Sequence, residues 1–208
     1  MPMKSKIENT VLLMAYTLFA VGQVWLYVDL QNEPDLYSRV TLHGLGWSGA
    51  HILLMVSSAC MLWSAKIVYN KLKSYRGRRW AFAGLIFVLF GGLSLLSQFA
   101  IDLYLTELFT ENREESYASL TALRSGFVKF VCYDLVAAWL LGMICMGIAS
   151  WVSNVVPRWS ILVLFMALVL VLVGPSIHPL VSRLNYVLFT VALVPFLHKG
   201  QAANGPIF

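Results

Sequence analysis

The fold is decided by residues 45–103, which read LGWSGAHILLMVSSACMLWSAKIV, then YNKLKSYRGRR, then WAFAGLIFVLFGGLSLLSQFAIDL. Both outer segments exceed the about 20 apolar residues that an α-helix needs to cross the hydrocarbon core of a bilayer. Residues 66–79 carry six Lys and Arg and no Asp or Glu. Two apolar segments joined by a basic loop predict a helical hairpin that crosses a membrane twice.

The same pattern continues in both directions along the chain. The composition is 59% hydrophobic and only 12% charged, whereas soluble domains contain about 25% charged residues. We therefore predict an all-α fold, a polytopic transmembrane helix bundle of about six spans that forms a single domain. The predicted spans are 9–29, 45–68, 80–103, 127–151, 159–174 and 181–197, and residues 200–208 are predicted to be a disordered tail.

The last two predicted spans are short and are separated by the turn Gly174-Pro-Ser-Ile-His-Pro179. Such a pair forms either two thin spans or one re-entrant pair. The strong apolarity of both segments favours two spans.

The distribution of basic residues predicts the orientation. With six spans, ten of the 15 Lys and Arg fall on the same side as the basic loop 66–79. Because Lys and Arg accumulate on the cytoplasmic side of membrane proteins, we expect both termini in the cytoplasm and the protein in the inner membrane. The net charge of +5 is then explained by topology, so the expected partner is the lipid bilayer and not nucleic acid.

Polar and ionisable side chains inside the spans are candidates for a functional site, because they are costly to place in hydrocarbon. His51 lies about five residues into the second span and Asp134 about seven into the fourth, which is roughly 7–10 Å from the outer end at 1.5 Å per residue. Other polar residues lie at similar depths on other spans. The predicted ligand-binding residues are His51, Asp134, Gln23, Gln98, Asp102, Asn185 and Arg183.

This outer polar layer allows three interpretations. The side chains line a pocket, open to the outer face, that binds or senses a small ligand; this is the preferred hypothesis. Alternatively, they hydrogen-bond to each other in a non-catalytic scaffold or accessory subunit. A third alternative is a membrane enzyme that uses His51 and Asp134 as an acid–base pair. No nucleophile or enzyme motif accompanies that pair, so we assign no catalytic residue. We expect His51 and Asp134 to face the bundle interior and to share one pocket.

Metals and cofactors are not indicated by the sequence. Cys60, Cys132 and Cys145 lie in apolar runs without the close spacing of a zinc site. A transmembrane haem needs two facing axial ligands. His51 and His178 are the pair to consider, but His178 lies in the proline-containing turn. We predict no metal and no cofactor, and we leave open whether the protein forms homo- or hetero-oligomers.

The last third of the chain contains LGMICMGIAS at residues 141–150, then Val156-Pro-Arg-Trp159, and then Gly174-Pro175. This part resembles small bacterial six-span membrane proteins that are grouped as domains of unknown function. In those proteins a Gly-containing helix leads through a Pro-Arg-Trp turn into a final hairpin. The resemblance implies a six-helix bundle in a prokaryotic inner membrane and implies no activity.

Overall fold

The computed structural model describes residues 3–32, 35–109 and 112–198, and its regular structure in these ranges is entirely helical. The predicted tail, 200–208, lies outside the described residues. The helices are α1 (Met3–Asn32), α2 (Leu36–Leu42), α3 (Gly44–Leu72), α4 (Arg78–Leu108), α5 (Arg113–Leu123), α6 (Gly126–Cys132), α7 (Ala137–Ser153), α8 (Arg158–Ile177) and α9 (Pro179–His198), with a 3-10 turn, Asp134–Val136, between α6 and α7.

Six helical segments are long and apolar enough to cross a membrane: those of α1, α3, α4, the stretch from α6 through α7, α8 and α9. The prediction of an all-α bundle with about six spans is therefore confirmed. Helices α8 and α9 have 20 residues each, which gives each a length of about 30 Å, about the thickness of the hydrocarbon core.

The spanning helices form a ring in which each packs along the next. The order around the ring is α7, α4, α3, α1, α9 and α8, and the ring closes between α8 and α7 with the least contact of these pairs. A ring of six helices encloses a central axis, and the side chains that point to this axis decide whether it is filled.

Helix α4 approaches α7 through three glycines spaced seven residues apart, Gly77, Gly84 and Gly91. A Cβ atom on Gly91 would lie 2.1 Å from the backbone nitrogen of Trp139, and one on Gly84 would lie 2.9 Å from the carbonyl oxygen of Gly142. Backbone atoms cannot move aside as side chains do. We call Gly77, Gly84 and Gly91 the glycine seam; it is the kind of small-residue contact that lets membrane helices associate closely.

Buried serines link neighbouring helices in the half of the bundle that carries the basic loop. The hydroxyl of Ser160 on α8 donates to the carbonyl oxygen of Ala192 on α9 at 2.6 Å, and Ser57 on α3 donates to the carbonyl of Ala15 on α1. These bonds were not predictable from the sequence, because a serine inside an apolar run does not reveal which helix it faces.

Two of the predicted spans, 127–151 and 159–174, differ in detail from the helices of the structure. The fourth span is not continuous over 127–151: it breaks at Tyr133, which has non-helical dihedral angles (φ −124°, ψ −48°). The fifth span does not end at 174 but continues through Pro175 to Ile177. Proline lacks one N–H donor, and membrane helices tolerate that loss where neighbouring groups satisfy the backbone.

A small cap, which consists of α2 and α5, covers the end of the bundle opposite the basic loop; we call this the outer end, after the predicted orientation. Asp35 is the N-cap of α2 and accepts from the backbone N–H of Ser38 at 3.1 Å. Its other oxygen accepts from Arg113 at 2.8 Å and from the Tyr117 hydroxyl at 3.0 Å, both on α5. Beneath these contacts is a separate apolar cluster of Val40, Trp47, Leu105, Phe109 and Leu120.

Candidate functional site

Asp102, near the outer end of α4, is the centre of a polar network. Arg124 donates to its carboxylate at 2.7 Å and the Tyr133 hydroxyl donates to the same oxygen at 3.2 Å. Arg124 also donates to Tyr133 at 3.1 Å, and the Trp47 indole N–H donates to the backbone carbonyl of Asp102 at 2.6 Å. We call Trp47, Asp102, Arg124 and Tyr133 the Asp102 network. It ties α3 and α4 to the break in the fourth span.

His51 lies below this network and is almost completely buried. Its ring lies 4.2 Å from that of Trp47 and 6.1 Å from that of Phe99, measured between centroids. Nδ1 is 2.8 Å from the carbonyl oxygen of Trp47, so Nδ1 must carry the proton that it donates. In the neutral ring, Nε2 then keeps an accepting lone pair.

The predicted pairing of His51 with Asp134 is not the contact that the structure forms. The contacts that His51 forms are with the carbonyl oxygen of Trp47 and with the rings of Trp47 and Phe99. Asp134 begins the 3-10 turn in the fourth span, and its side chain is exposed rather than packed against His51. The sequence placed both residues at a similar depth, but it did not show in which direction each side chain points.

Asp134 instead lies at the edge of a cavity of about 220 Å³ on the axis of the ring. Every spanning helix contributes to its wall. We call it the central cavity, and its lining is Phe19, Met61, Leu95, Tyr133, Asp134, Val136, Ala137, Trp139, Leu140, Val171 and Tyr186. The wall is therefore mainly apolar and aromatic, and Asp134, whose side chain is exposed, is the acidic residue at its edge.

Towards the basic end of the bundle, the axis is filled by aromatic side chains. The ring of Phe189 lies 5.3 Å from Tyr16 and 5.2 Å from Trp139, and Tyr16 donates to the sulfur of Met143 at 3.4 Å. Beside Tyr16, Ser64 and Ser150 lies a small space of about 20 Å³. The aromatic cluster therefore separates this space from the central cavity.

Asp134 has no ion-pair partner among the described residues: the two ion pairs there are Arg113–Asp35 and Arg124–Asp102. Its position combines an uncompensated carboxylate with aromatic rings of Tyr133, Trp139 and Tyr186. Carboxylates and aromatic faces both attract cations. The chemistry of the cavity therefore suits a positively charged group on an apolar body.

The other predicted site residues do not line the central cavity. Gln23 and Gln98 are half-buried. Arg183 lies over the ring of Tyr27, with 5.0 Å between its guanidinium carbon and the ring centroid. Asn185 is buried, and neither polar atom of its side chain has a hydrogen-bond partner among the described residues. Depth along a span was readable from the sequence, but the direction of each side chain was not.

Tyr133 and Arg124 are not among the predicted ligand-binding residues. Tyr133 belongs both to the Asp102 network and to the cavity wall, yet a Tyr near a membrane interface is ordinarily an interfacial anchor. Arg124 lies before the fourth span and reaches back to α4. The one available signal was composition: Arg124, Tyr133 and Asp134 are close in sequence at the outer end of an apolar run.

Metal-ligating side chains do not gather in the part of the chain that the structure describes: no three of His, Cys, Asp and Glu come together there. His178 lies against Tyr27, whereas His51 lies against Trp47 and Phe99. The three cysteines are unpaired.

Comparisons with protein-family models, with curated proteins and with solved structures find no match to this chain. The resemblance of the last third to small bacterial membrane proteins therefore stays a prediction.

Proposed function

We propose that this membrane protein binds a small, mainly apolar ligand with a positively charged group, and that the ligand occupies the central cavity. The observation that carries the proposal is that all six spans converge on one cavity of about 220 Å³, with the acidic residue Asp134 at its edge. Pockets for drug-sized ligands have about 300–1,000 Å³, so the ligand is smaller than those.

The break in the fourth span supports a binding role. Membrane helices that are interrupted within the membrane expose backbone groups, and this is tolerated where those groups are buried in protein or line a cavity. Binding sites of many transporters are formed at such interruptions. Here the interruption at Tyr133 and Asp134 coincides with the cavity wall.

The Asp102 network has a positioning role in this proposal. Tyr133 is fixed through its hydroxyl by Asp102 and Arg124, and Asp134 is the next residue. The network therefore sets the position of the carboxylate, although Asp102 and Arg124 do not line the cavity. This combines the two hypotheses from the sequence, a polar layer that stabilises the bundle and a polar layer that binds a ligand.

The positions of His51 and Asp134 favour binding over the enzymatic alternative. An acid–base pair must reach the same reacting group. Asp134 lines the central cavity and His51 does not, and His51 is packed between Trp47 and Phe99.

The proposal is tested by thermal unfolding of the detergent-purified protein with matched pairs of small ligands. Benzylamine, which is protonated at neutral pH, is compared with benzyl alcohol, and tetraethylammonium with its neutral analogue tetraethylmethane. We expect the two cations to raise the unfolding temperature of the wild type, and the two neutral compounds to raise it less. In Asp134→Asn the difference between charged and neutral ligands disappears.

Asp29→Asn is the matched control, because it removes one carboxylate near the outer end of α1 that is not part of the cavity wall. This variant should keep the preference for the two cations over the neutral compounds. Val171→Phe fills the cavity without changing any charge and should weaken the binding of both ligand classes. Equal stabilisation by charged and neutral ligands, or an unchanged preference in Asp134→Asn, contradicts the proposal.

We further propose that the basic end of the bundle faces the cytoplasm of a bacterial inner membrane, so that the Asp134 end of the cavity faces outward. The support is the accumulation of ten of the 15 Lys and Arg on one side. Reporter fusions near residue 75 should be active in the cytoplasm and fusions near residue 113 outside. The reverse pattern would refute this orientation.

A further inference from the structure

The end of the bundle opposite the Asp102 network carries a second concave site. The last turn of α3 and the first turns of α4 enclose an open groove of about 600 Å³. We call it the basic groove, and its lining is Tyr69, Lys73, Ser74, Arg78, Arg79 and Phe82. Three of its six residues are cations and two are aromatic.

The cations of the basic groove are available to a ligand. Lys73, Arg78 and Arg79 are exposed, and none of them forms an ion pair with a described residue. The first turn of α4 contains no acid, and its N-cap, Gly77, offers no side-chain hydrogen bond. The partial positive charge of the helix N-terminus therefore adds to that of the three side chains.

The position of the groove selects the kind of anion. Tyr69 lies within the span of α3 and Phe82 within the span of α4, so the groove opens where the bundle meets the membrane surface. Phe82, Ile86 and Phe90 are exposed and follow at four-residue spacing along α4. They form an apolar strip, suited to an acyl chain, that leads from the groove towards the middle of the membrane.

We propose that the basic groove binds the phosphate headgroup of an anionic phospholipid, whose acyl chain lies along the strip of Phe82, Ile86 and Phe90. The guanidinium groups of Arg78 and Arg79 hold the phosphate, since planar guanidinium groups bind phosphate with two hydrogen bonds each. Lys73 contributes a point charge, and Tyr69 and Phe82 pack against the glycerol region. Basic pockets at cytoplasmic helix ends are a known mode of lipid recognition. The site is independent of the central cavity, which lies at a different level of the bundle.

The test is native mass spectrometry of the full-length protein, purified in detergent and titrated with an equimolar mixture of phosphatidylglycerol and phosphatidylcholine. We expect the wild type to retain phosphatidylglycerol in preference to phosphatidylcholine. The double variant Arg78→Gln/Arg79→Gln should bind phosphatidylglycerol about thirtyfold more weakly, since each basic residue near an anionic lipid surface is worth about a factor of five.

The matched control is Arg76→Gln/Arg158→Gln. It removes the same charge from two exposed residues that do not line the basic groove, and it should retain the preference for phosphatidylglycerol. If both double variants lose binding equally, the attraction is that of a diffuse charged surface and the proposal is wrong. Lys73→Gln, with an expected loss of about fivefold, decides the question should the first double variant fail to fold.

Inorganic phosphate distinguishes the two sources of the same chemistry. If it displaces phosphatidylglycerol only at a large excess, the apolar strip contributes to binding and the lipid is the ligand. If inorganic phosphate binds as tightly as the lipid, the groove is a site for free phosphate and the lipid proposal is wrong. Equal retention of phosphatidylcholine would also overturn it.

Discussion

Helix α4 contacts the fourth span in two different ways along its length. From the basic end to the middle of the bundle, α4 lies against the backbone of α7 through the glycine seam. Towards the outer end the fourth span breaks at Tyr133, and the side chains of the Asp102 network replace backbone contact. The seam fixes the position of α7, whereas the outer part is held by a few polar groups around a cavity.

The difference reflects the forces available in a membrane. Between helices in lipid there is no hydrophobic driving force, so close packing and interhelical hydrogen bonds hold a bundle together. Glycines allow the backbones of two helices to pack closely. Where a cavity interrupts this packing, the hydrogen bonds of a polar network hold the helices together instead. A protein that must keep a cavity near its outer end can therefore be rigid at the opposite end and adjustable at the cavity.

The largest effect should come from the glycine seam. In Gly91→Ala the new Cβ would meet the backbone nitrogen and Cα of Trp139 at 2.1 and 2.6 Å, so α4 and α7 must separate. We expect a loss of about 3 kcal/mol in the free energy of unfolding, the upper end of the range for overpacking. Thermal or denaturant unfolding in detergent measures it.

Gly92→Ala is the control for this prediction. Its Cβ would meet the end of the Leu62 side chain, 2.4 Å away, and a leucine can change rotamer. The loss should be much smaller than for Gly91→Ala. If the two variants were equally unstable, the glycine seam would not be what distinguishes the two parts of the bundle.

The next effect should come from the Asp102 network. Asp102→Ala leaves Arg124 without its carboxylate; removing one partner of a fully buried pair costs about 3–5 kcal/mol. Because the Arg124 side chain is 36% exposed, water compensates in part and we expect a loss of about 2 kcal/mol. The fourth span should loosen at its break while the glycine seam remains intact.

Thiol labelling of Cys132, in a variant with Cys60 and Cys145 replaced by alanine, reports this local opening because Cys132 directly precedes Tyr133. Labelling should become faster in Asp102→Ala and should not change in Gly92→Ala. An unchanged labelling rate in Asp102→Ala would show that the break is held by something other than the network.

The fold was predictable from sequence because length and apolarity alone decide a spanning helix. The break at Tyr133 was not, since neither proline nor glycine marks it and it depends on contacts with Asp102 and Arg124, on other parts of the chain. Asp134 was identified as a candidate because a carboxylate is costly in the membrane. Its contacts with other helices were not predictable, for the same reason as the break. The sequence shows which residues are candidates. Which residues they contact depends on how each helix is rotated about its axis in the bundle.

A smaller effect, of opposite sign, is expected at Asn185. Its side chain is buried and neither polar atom has a partner among the described residues. Leucine has a similar shape and requires no hydrogen bond, so Asn185→Leu should stabilise the protein by about 1 kcal/mol. Unfolding in detergent measures the change. A loss of stability instead would reveal a polar partner for Asn185, and the outer part of the bundle would then be more completely hydrogen-bonded than the contacts above indicate.

The smallest effect should occur at the cap, where Asp35 joins α2 to α5. The pKa of Asp35 is lowered from its ordinary value, chiefly by the backbone N–H of Ser38 and further by the Ser38 and Tyr117 hydroxyls and the charge of Arg113. A carboxyl whose pKa is lower in the folded state stabilises the fold above its unfolded pKa of about 3.9. That stabilisation disappears as the pH falls through the lower, folded value.

The difference in unfolding temperature between wild type and Asp35→Asn isolates this group, because all other acids titrate in both proteins. The wild type should be slightly more stable at neutral pH, and the difference should shrink below about pH 4 and vanish as Asp35 becomes protonated. Asparagine is itself a good N-cap, so the comparison removes charge and leaves the capping geometry. The Ser38 backbone N–H is the largest cause of the lowered pKa, so Arg113→Gln should retain most of the pH dependence. If Arg113→Gln abolished the pH dependence, the cap would depend on the ion pair to α5 rather than on the N-cap of α2. Either outcome leaves the glycine seam unaffected, because its contacts contain no titratable group.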